Sequence, residues 1–179
     1  MYVGCWGKGA SGTERKNYME KIAKRSDKIA FYGIPDGDKI TYQRMRGFTE
    51  FSMNKNPTEY TRRYVDEKTE RSDIVGYAPS ISYSFDKFTS DPVHQDMIMI
   101  TDNELVGGEA VRRILIVDLS SETDGVCTAI DRAWAVIPDA EGNDTDAYTY
   151  SGTLKSNGEI VKGTAQSEDD WQTCTFLAI

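Results

Sequence analysis

The sequence predicts a mainly β domain, an antiparallel β-sandwich or partly closed barrel with one flanking α-helix. Two stretches alternate apolar and polar side chains with the period of a strand, and one long stretch in the middle of the chain has helical spacing. In the first, Ile81, Tyr83 and Phe85 fall on one face and Ser80, Ser82, Ser84 and Asp86 on the other. In the second, Tyr148, Tyr150 and Leu154 share a face with Gly152, against Thr149, Ser151, Thr153 and Lys155. The helical stretch is 91–106, where Val93, Met97, Ile98, Ile100 and Leu105 recur at spacings of three and four.

Bulk composition limits the function. A chain of 179 residues forms one domain burying about 70% of its unfolded surface. With 39% hydrophobic and 28% charged residues, it suits a globular fold. A formal net charge of −8 disfavours nucleic-acid binding driven by phosphate contacts. No window approaches the roughly 20 apolar residues of a membrane span, and Met1–Trp6 is too short and polar for a signal peptide. Cys5, Cys127 and Cys174 have neither metal-site spacing nor an even count, so they read as small apolar residues of a protein made in a reducing cytoplasm.

In order along the chain, residues 1–28 stand apart as an N-terminal arm or peripheral helix, and 29–179 form a single domain. Four early glycines precede a basic run with Lys16, Lys21, Lys24, Arg25 and Lys28. Thr13 can cap a helix over 14–25 whose apolar side holds Tyr18, Met19, Ile22 and Ala23. Residues 29–34 form a short strand closed by Pro35-Asp36-Gly37-Asp38, and 39–53 form one long strand with mixed faces. Arg44, Arg46 and Glu50 make that strand a candidate for a wet or subunit-contacting position. After Asn54-Lys55-Asn56-Pro57, residues 58–74 are almost all polar or charged, with Tyr60, Tyr64 and Val65 standing out, as in a solvated hairpin tip or a protruding loop.

The helix starts with Ser90 or Asp91 as cap and Pro92 in its first turn, and Gly107-Gly108 ends it. Strands follow over 113–119, apolar on both faces, and over 126–137, ended by Pro138. Asp131 and Arg132 point to opposite faces, so at least one meets water or another subunit. Residues 139–146 are an acidic turn. The stretch 148–165 reads as a hairpin turning at Ser156-Asn157-Gly158 and returning through Ile160 and Val161 to Gly163. Trp171–Leu177 closes the sheet.

No chemistry-bearing constellation emerges. The Gly-Lys-Gly-Ala-Ser-Gly-Thr run at 7–13 lacks the Lys-Ser/Thr step and the preceding strand of a phosphate loop. The acidic turn lacks calcium-loop spacing. The one histidine, His94, has no second His, no nucleophile motif and no Cys partner, and reads as an exposed or capping residue. The expectation is a non-enzyme with no catalytic residue, no cofactor and no metal ligand.

The run from about 40 to 177 resembles the major tail tube proteins of long-tailed bacteriophages. The likeness lies in the long strand pair around the polar loop at 54–73, the strand ending Tyr83-Ser84-Phe85-Asp86, and the helix followed by Gly107-Gly108. The closing stretch, with its Gly-Glu-Ile-Val-Lys-Gly-Thr-Ala wording at 158–165, completes it. The resemblance implies the tail tube fold and a structural virion protein, assembled in the host cytoplasm into stacked hexameric rings. The virion tail so formed conducts DNA without holding it tightly. Partners would be further copies, other tail proteins and passing DNA, with no membrane. Asn54, Tyr60, Arg62, Arg63, Tyr64, Asp66, Glu67 and Arg71 become candidate ring or stacking contacts. Arg44, Arg46 and Glu50 mark a candidate lumen or inter-subunit strand. The rival expectation is a non-catalytic β-sandwich binding module, a virion decoration or receptor-binding domain.

Overall fold

The computed structural model describes residues 22–37, 39–142 and 144–179. Eleven strands and one α-helix follow in order: β1 Lys28–Asp36, β2 Lys39–Arg44, β3 Phe48–Asn54, β4 Pro57–Arg62, β5 Arg71–Tyr77 and β6 Ser80–Asp86. Then come α1 Pro92–Asp102, β7 Val111–Thr123, β8 Val126–Glu141, β9 Thr149–Ser156, β10 Val161–Gln166 and β11 Thr173–Ala178. Residues 1–21, with most of the predicted arm helix, lie outside the described part. Ile22–Lys24 are irregular and Arg25–Asp27 form a 3₁₀ turn, so the end of that predicted helix is not α-helical.

The fold is mainly β, and its main sheet closes on itself. β8 pairs with β7, β7 with β1, β1 with β2, β2 with β11, β11 with β10, and β10 returns to the first half of β8. All six pairs are antiparallel. The seam is narrow: β11 meets β2 only at Thr173↔Gln43 and Cys174↔Tyr42. β9, β6 and β3 extend the sheet outward from the second half of β8, and β3 is its edge among the described residues.

Alternation along β1, β7 and β8 builds two cores on one set of strands. Phe31, Leu115, Val117, Cys127 and Ala129 fill the barrel with Tyr42 and Ala165. Tyr32, Ile114, Trp134 and Val136 point the other way. They pack on Val93, Met97 and Ile100 of α1, and on Ile81, Phe85, Tyr150 and Leu154 of the outer strands. The alternation predicted for β6 holds residue by residue, with Ile81, Tyr83 and Phe85 all buried. α1 also begins as predicted, with the Asp91 carboxylate accepting from the Val93 and His94 amides at 2.9 and 3.3 Å.

Several expectations are corrected. The long strand 39–53 breaks at Gly47, whose φ is +70°. A Cβ there would lie 2.4 Å from Phe88 Cε2, so this left-handed, crowded position admits only glycine. β2 therefore belongs to the barrel and β3 to the outer edge. The stretch 148–165 is not a hairpin. β9 and β10 do not pair with each other, but run collinearly along the same edge of β8. Trp134 faces Ser156 and Asp131 faces Val161, so residues 157–160 oppose only 132–133. Asn157 N–H bonds to Ala133 O at 2.9 Å and Arg132 Nε to Gly158 O at 2.8 Å, which seats an insertion rather than a reversal.

Tyr148 precedes β9 and is half exposed, while Tyr150 and Leu154 are buried as expected. α1 ends at Asp102 with Asn103 as its C-cap, not at Gly107-Gly108, which begin a 3₁₀ turn. β8 does not stop at Pro138 but passes it on an irregular register to Glu141. Of Asp131 and Arg132, Arg132 is the partly exposed one, while Asp131 is buried in a pair with Arg113, and its Oδ1 has no hydrogen-bond partner among the described residues.

Candidate assembly surface

Of the two forms expected for the polar stretch after β3, a solvated hairpin tip and a protruding loop, the structure shows a hairpin. β3 runs on into β4 and β5 into β6, so 48–86 form one long two-stranded excursion. Asn56 marks the joint, with φ +44°. Its carbonyl accepts from Ala78 N–H at 3.0 Å, and its side-chain amide donates to Ala78 O and Ser80 Oγ at 3.1 and 3.0 Å. Beyond this joint β4 and β5 form their own two-stranded sheet, registered from Pro57↔Tyr77 to Arg62↔Arg71.

A two-stranded ribbon has no hydrophobic core and is marginal in water. Here a polar–aromatic stack replaces one. The Arg62 guanidinium lies 5.2 Å from the Tyr60 ring centroid and 5.5 Å from that of Tyr64, and Arg71 lies 5.8 Å from Tyr64. Arg62 Nε donates to Tyr64 OH at 2.7 Å, Arg62 pairs with Asp73 at 2.8 Å, and Arg71 pairs with Glu67. Across the strands Ser72 Oγ donates to Glu59 Oε2 at 2.9 Å. The Tyr64 hydroxyl, then Asp73, hold the Arg62 guanidinium above its usual range.

Of the predicted contact residues, the structure brings together Tyr60, Arg62, Tyr64, Glu67 and Arg71. Asn54 lies apart at the end of β3, and Arg63 and Asp66 form no ion pair among the described residues. Sequence reading missed Ile74, Val75 and Tyr77 on β5, which leave 58%, 63% and 60% of their surfaces exposed. Their β-branched and aromatic character is itself a strand signal. With Tyr60, Tyr64 and Val65 they leave the ribbon an unusually apolar projection.

Arg44, Arg46 and Glu50 do not share a strand. Arg44 ends β2 at the barrel seam, where its N–H bonds to Gln172 O at 2.9 Å. Arg46 lies in the break, and Glu50 is exposed on β3. His94 is neither exposed nor a cap. It is fully buried, its Nδ1 accepts from Phe88 N–H at 3.0 Å, and its Nε2 bonds to Arg46 O at 2.8 Å. Its ring stacks on Phe85 at 4.4 Å between centroids. The imidazole therefore clamps the chain where the sheet leaves the barrel, and both ring nitrogens are occupied by backbone.

A partly buried carboxylate, with the buried Arg112, fixes α1. Asp96 accepts from Arg112 Nε and Nη2 at 2.7 and 3.0 Å and from Tyr32 OH at 2.7 Å. Burial, then the Asp96 carboxylate, push the Tyr32 hydroxyl well above its usual range. Among the described residues, no group of three or more His, Cys, Asp or Glu is placed to share a metal ion, and no helix is long and apolar enough to cross a membrane.

No protein-family model matches the chain, and no curated protein does. Among solved structures it is similar to a chain of the anti-feeding prophage (AFP) baseplate, a 6-fold symmetrised cryo-EM structure. The two are 7% identical, with a TM-score of 0.49 over 80% of this chain and 97% of that one. A likeness of that size carries no argument about what the chain does.

Proposed function

We propose that the chain is a structural subunit of a phage tail or phage-like particle, assembling through its ribbon and β3 edge into stacked rings that form a tail tube. The observation that carries this reading is the β4–β5 ribbon. A projection with six exposed large apolar or aromatic side chains, held by a stack rather than a core, is built to meet another surface. The β3 edge beside it, unpaired among the described residues, offers backbone groups that a ring would satisfy. The resemblance supports the same reading through its element order and the helix beside a closing sheet. Hexameric closure, DNA passage and a place in the virion tail are expectations of that resemblance.

Size-exclusion chromatography and negative-stain microscopy test the proposal on the purified chain across a range of concentrations. Rings or tubes are the expected result. A compact monomer at every concentration would overturn it in favour of a binding module. Replacing 58–72 with a short Gly-Ser turn should leave a folded domain, because neither core uses those residues, and should stop tube growth. Long tubes from the shortened chain would refute the role given to the ribbon.

A further inference from the structure

Antiparallel register sorts the ribbon's side chains into two unlike faces. Tyr60 lies opposite Asp73 and Arg62 opposite Arg71, so the cation–aromatic stack and the Arg62–Asp73 pair share one face. Pro57 lies opposite Tyr77 and Glu59 opposite Ile74, so these four share the other. The register shift between Thr58 and Glu59 leaves Val75 as an extra residue between Ile74 and Tyr77. Ile74, Val75 and Tyr77 are all more than half exposed. Glu59 is the charge on this second face. It accepts from Ser72 Oγ and takes part in no ion pair among the described residues.

The outside of the barrel carries the counterpart. Ile130 lies opposite Lys162, and Thr164, two residues on, lies opposite Leu177 of β11. These side chains alternate with Ala129, Ala165 and Phe176, which belong to the barrel core, so they point outward. Ile160, just ahead of β10, joins them. Ile130, Ile160 and Leu177 expose 45%, 49% and 69% of their surfaces. A solvated sheet face ordinarily turns polar side chains to water, so three large aliphatic ones there mark a contact surface. Lys162 is exposed among them and forms no ion pair among the described residues. On one subunit the two patches stand apart. β4 and β5 pair only with each other, and both patches are open, so neither covers the other.

We infer that the ribbon face with Ile74 and Tyr77 packs on the Ile130–Ile160–Leu177 patch of a second copy, with Glu59 of one subunit against Lys162 of the other. A second copy is the occupant because each patch supplies what the other lacks: apolar surface beside a free carboxylate meets apolar surface beside a free ammonium. The patches differ, so the contact is heterologous. Each copy gives its ribbon to one neighbour and its barrel wall to another, which closes into a ring or runs on as a filament. The inference rests on the reading of the ribbon as an assembly element and adds the surface that receives it.

Sedimentation velocity of the full chain across a range of concentrations tests the contact. Leu177→Asp and Ile74→Asp lie outside both cores. Each alone should weaken self-association at least about tenfold, the scale of an apolar anchor lost at an interface. An equal mixture of the two should recover a one-to-one pair, because one chain keeps an intact ribbon and the other an intact barrel wall. A ribbon that meets another ribbon would leave Leu177→Asp associating as the parent does, which would overturn the inference. Charge exchange gives a second reading. Glu59→Lys and Lys162→Glu should each weaken association, and the chain carrying both should recover most of it. A double variant no better than the single ones would refute the pairing of these two faces. Tubes that grow undiminished from Leu177→Asp would sink the inference and leave the ribbon's role standing. A parent chain that stays monomeric at every concentration would sink both.

Discussion

Gly47 and His94 decide where the sheet divides. With φ at +70° and Phe88 in the space a Cβ would need, Gly47→Ala meets both backbone strain and a clash. It should lower stability by more than the ~1 kcal/mol of an ordinary helix or strand Gly exchange, read as a shift in the urea midpoint with an unchanged slope. A midpoint equal to that of the parent would mean the break does not need its glycine. Leu154, fully buried between β6 and β8, should cost about 2–5 kcal/mol as Ala, and Leu154→Asp should abolish the cooperative transition. An unchanged melting temperature in either variant would show that β9 presents its other face. Titration gives a third test. Burial, with Asp169 nearby, pushes the Cys174 thiol up to about 12. Burial, then Asp102 and Glu141, push Tyr150 up to about 12. Unfolded thiols and phenols titrate near 8.5 and 10. The folded values are higher, so the stability these groups contribute is whole below about pH 8.5 and is lost as pH rises towards 12. The urea midpoint should therefore fall between pH 8 and pH 11. An unchanged midpoint would mean both groups ionise as freely folded as unfolded.

At the scale of elements, what could be read from the sequence follows a physical line. β6 and the start of α1 were legible because one face of each is buried and local chemistry marks it: strict alternation in 80–86, and an Asp91 cap before Pro92. β1, β7 and β8 were harder, because they are buried on both faces. Cys127 and Ala129 enter the barrel while Trp134 and Val136 enter the outer core, so no single face of β8 looks apolar throughout. Asn157-Gly158 was misread because it signals departure from regular pairing, and a reversal and a four-against-two insertion use the same residues. Gly47 did carry a usable signal, since a glycine inside a strand pattern marks a bend or close approach. His94 could not be placed at all, because its partners, Phe88 N–H and Arg46 O, are backbone groups without sequence identity. The ribbon was half legible: its polarity was plain, but the cross-strand stack that stiffens it depends on register. Hydrogen exchange should accordingly show protected cross-strand amides in β4 and β5 of the free chain, where fully exchanged amides would mark a flexible loop.

At the scale of the molecule, charge sets how the protein treats nucleic acid. A chain of charge −8 offers few phosphate contacts and little counterion release. Duplex DNA at ~50 mM salt should show no saturable binding below about 10 μM in an anisotropy titration. Salt-sensitive micromolar binding would instead revive a nucleic-acid-binding role. The narrow seam between β2 and β11 reaches further, into how the protein is made. Tyr42 pairs with Cys174, so β2 waits for β11, made much later in the chain, before the barrel can close. β1 waits similarly for β7. Such long-range pairing makes folding slow and leaves both half-built cores open while translation proceeds. A chain without β11 keeps the edge of β2 bare, so the docking of β11 is the step that covers an edge prone to aggregation.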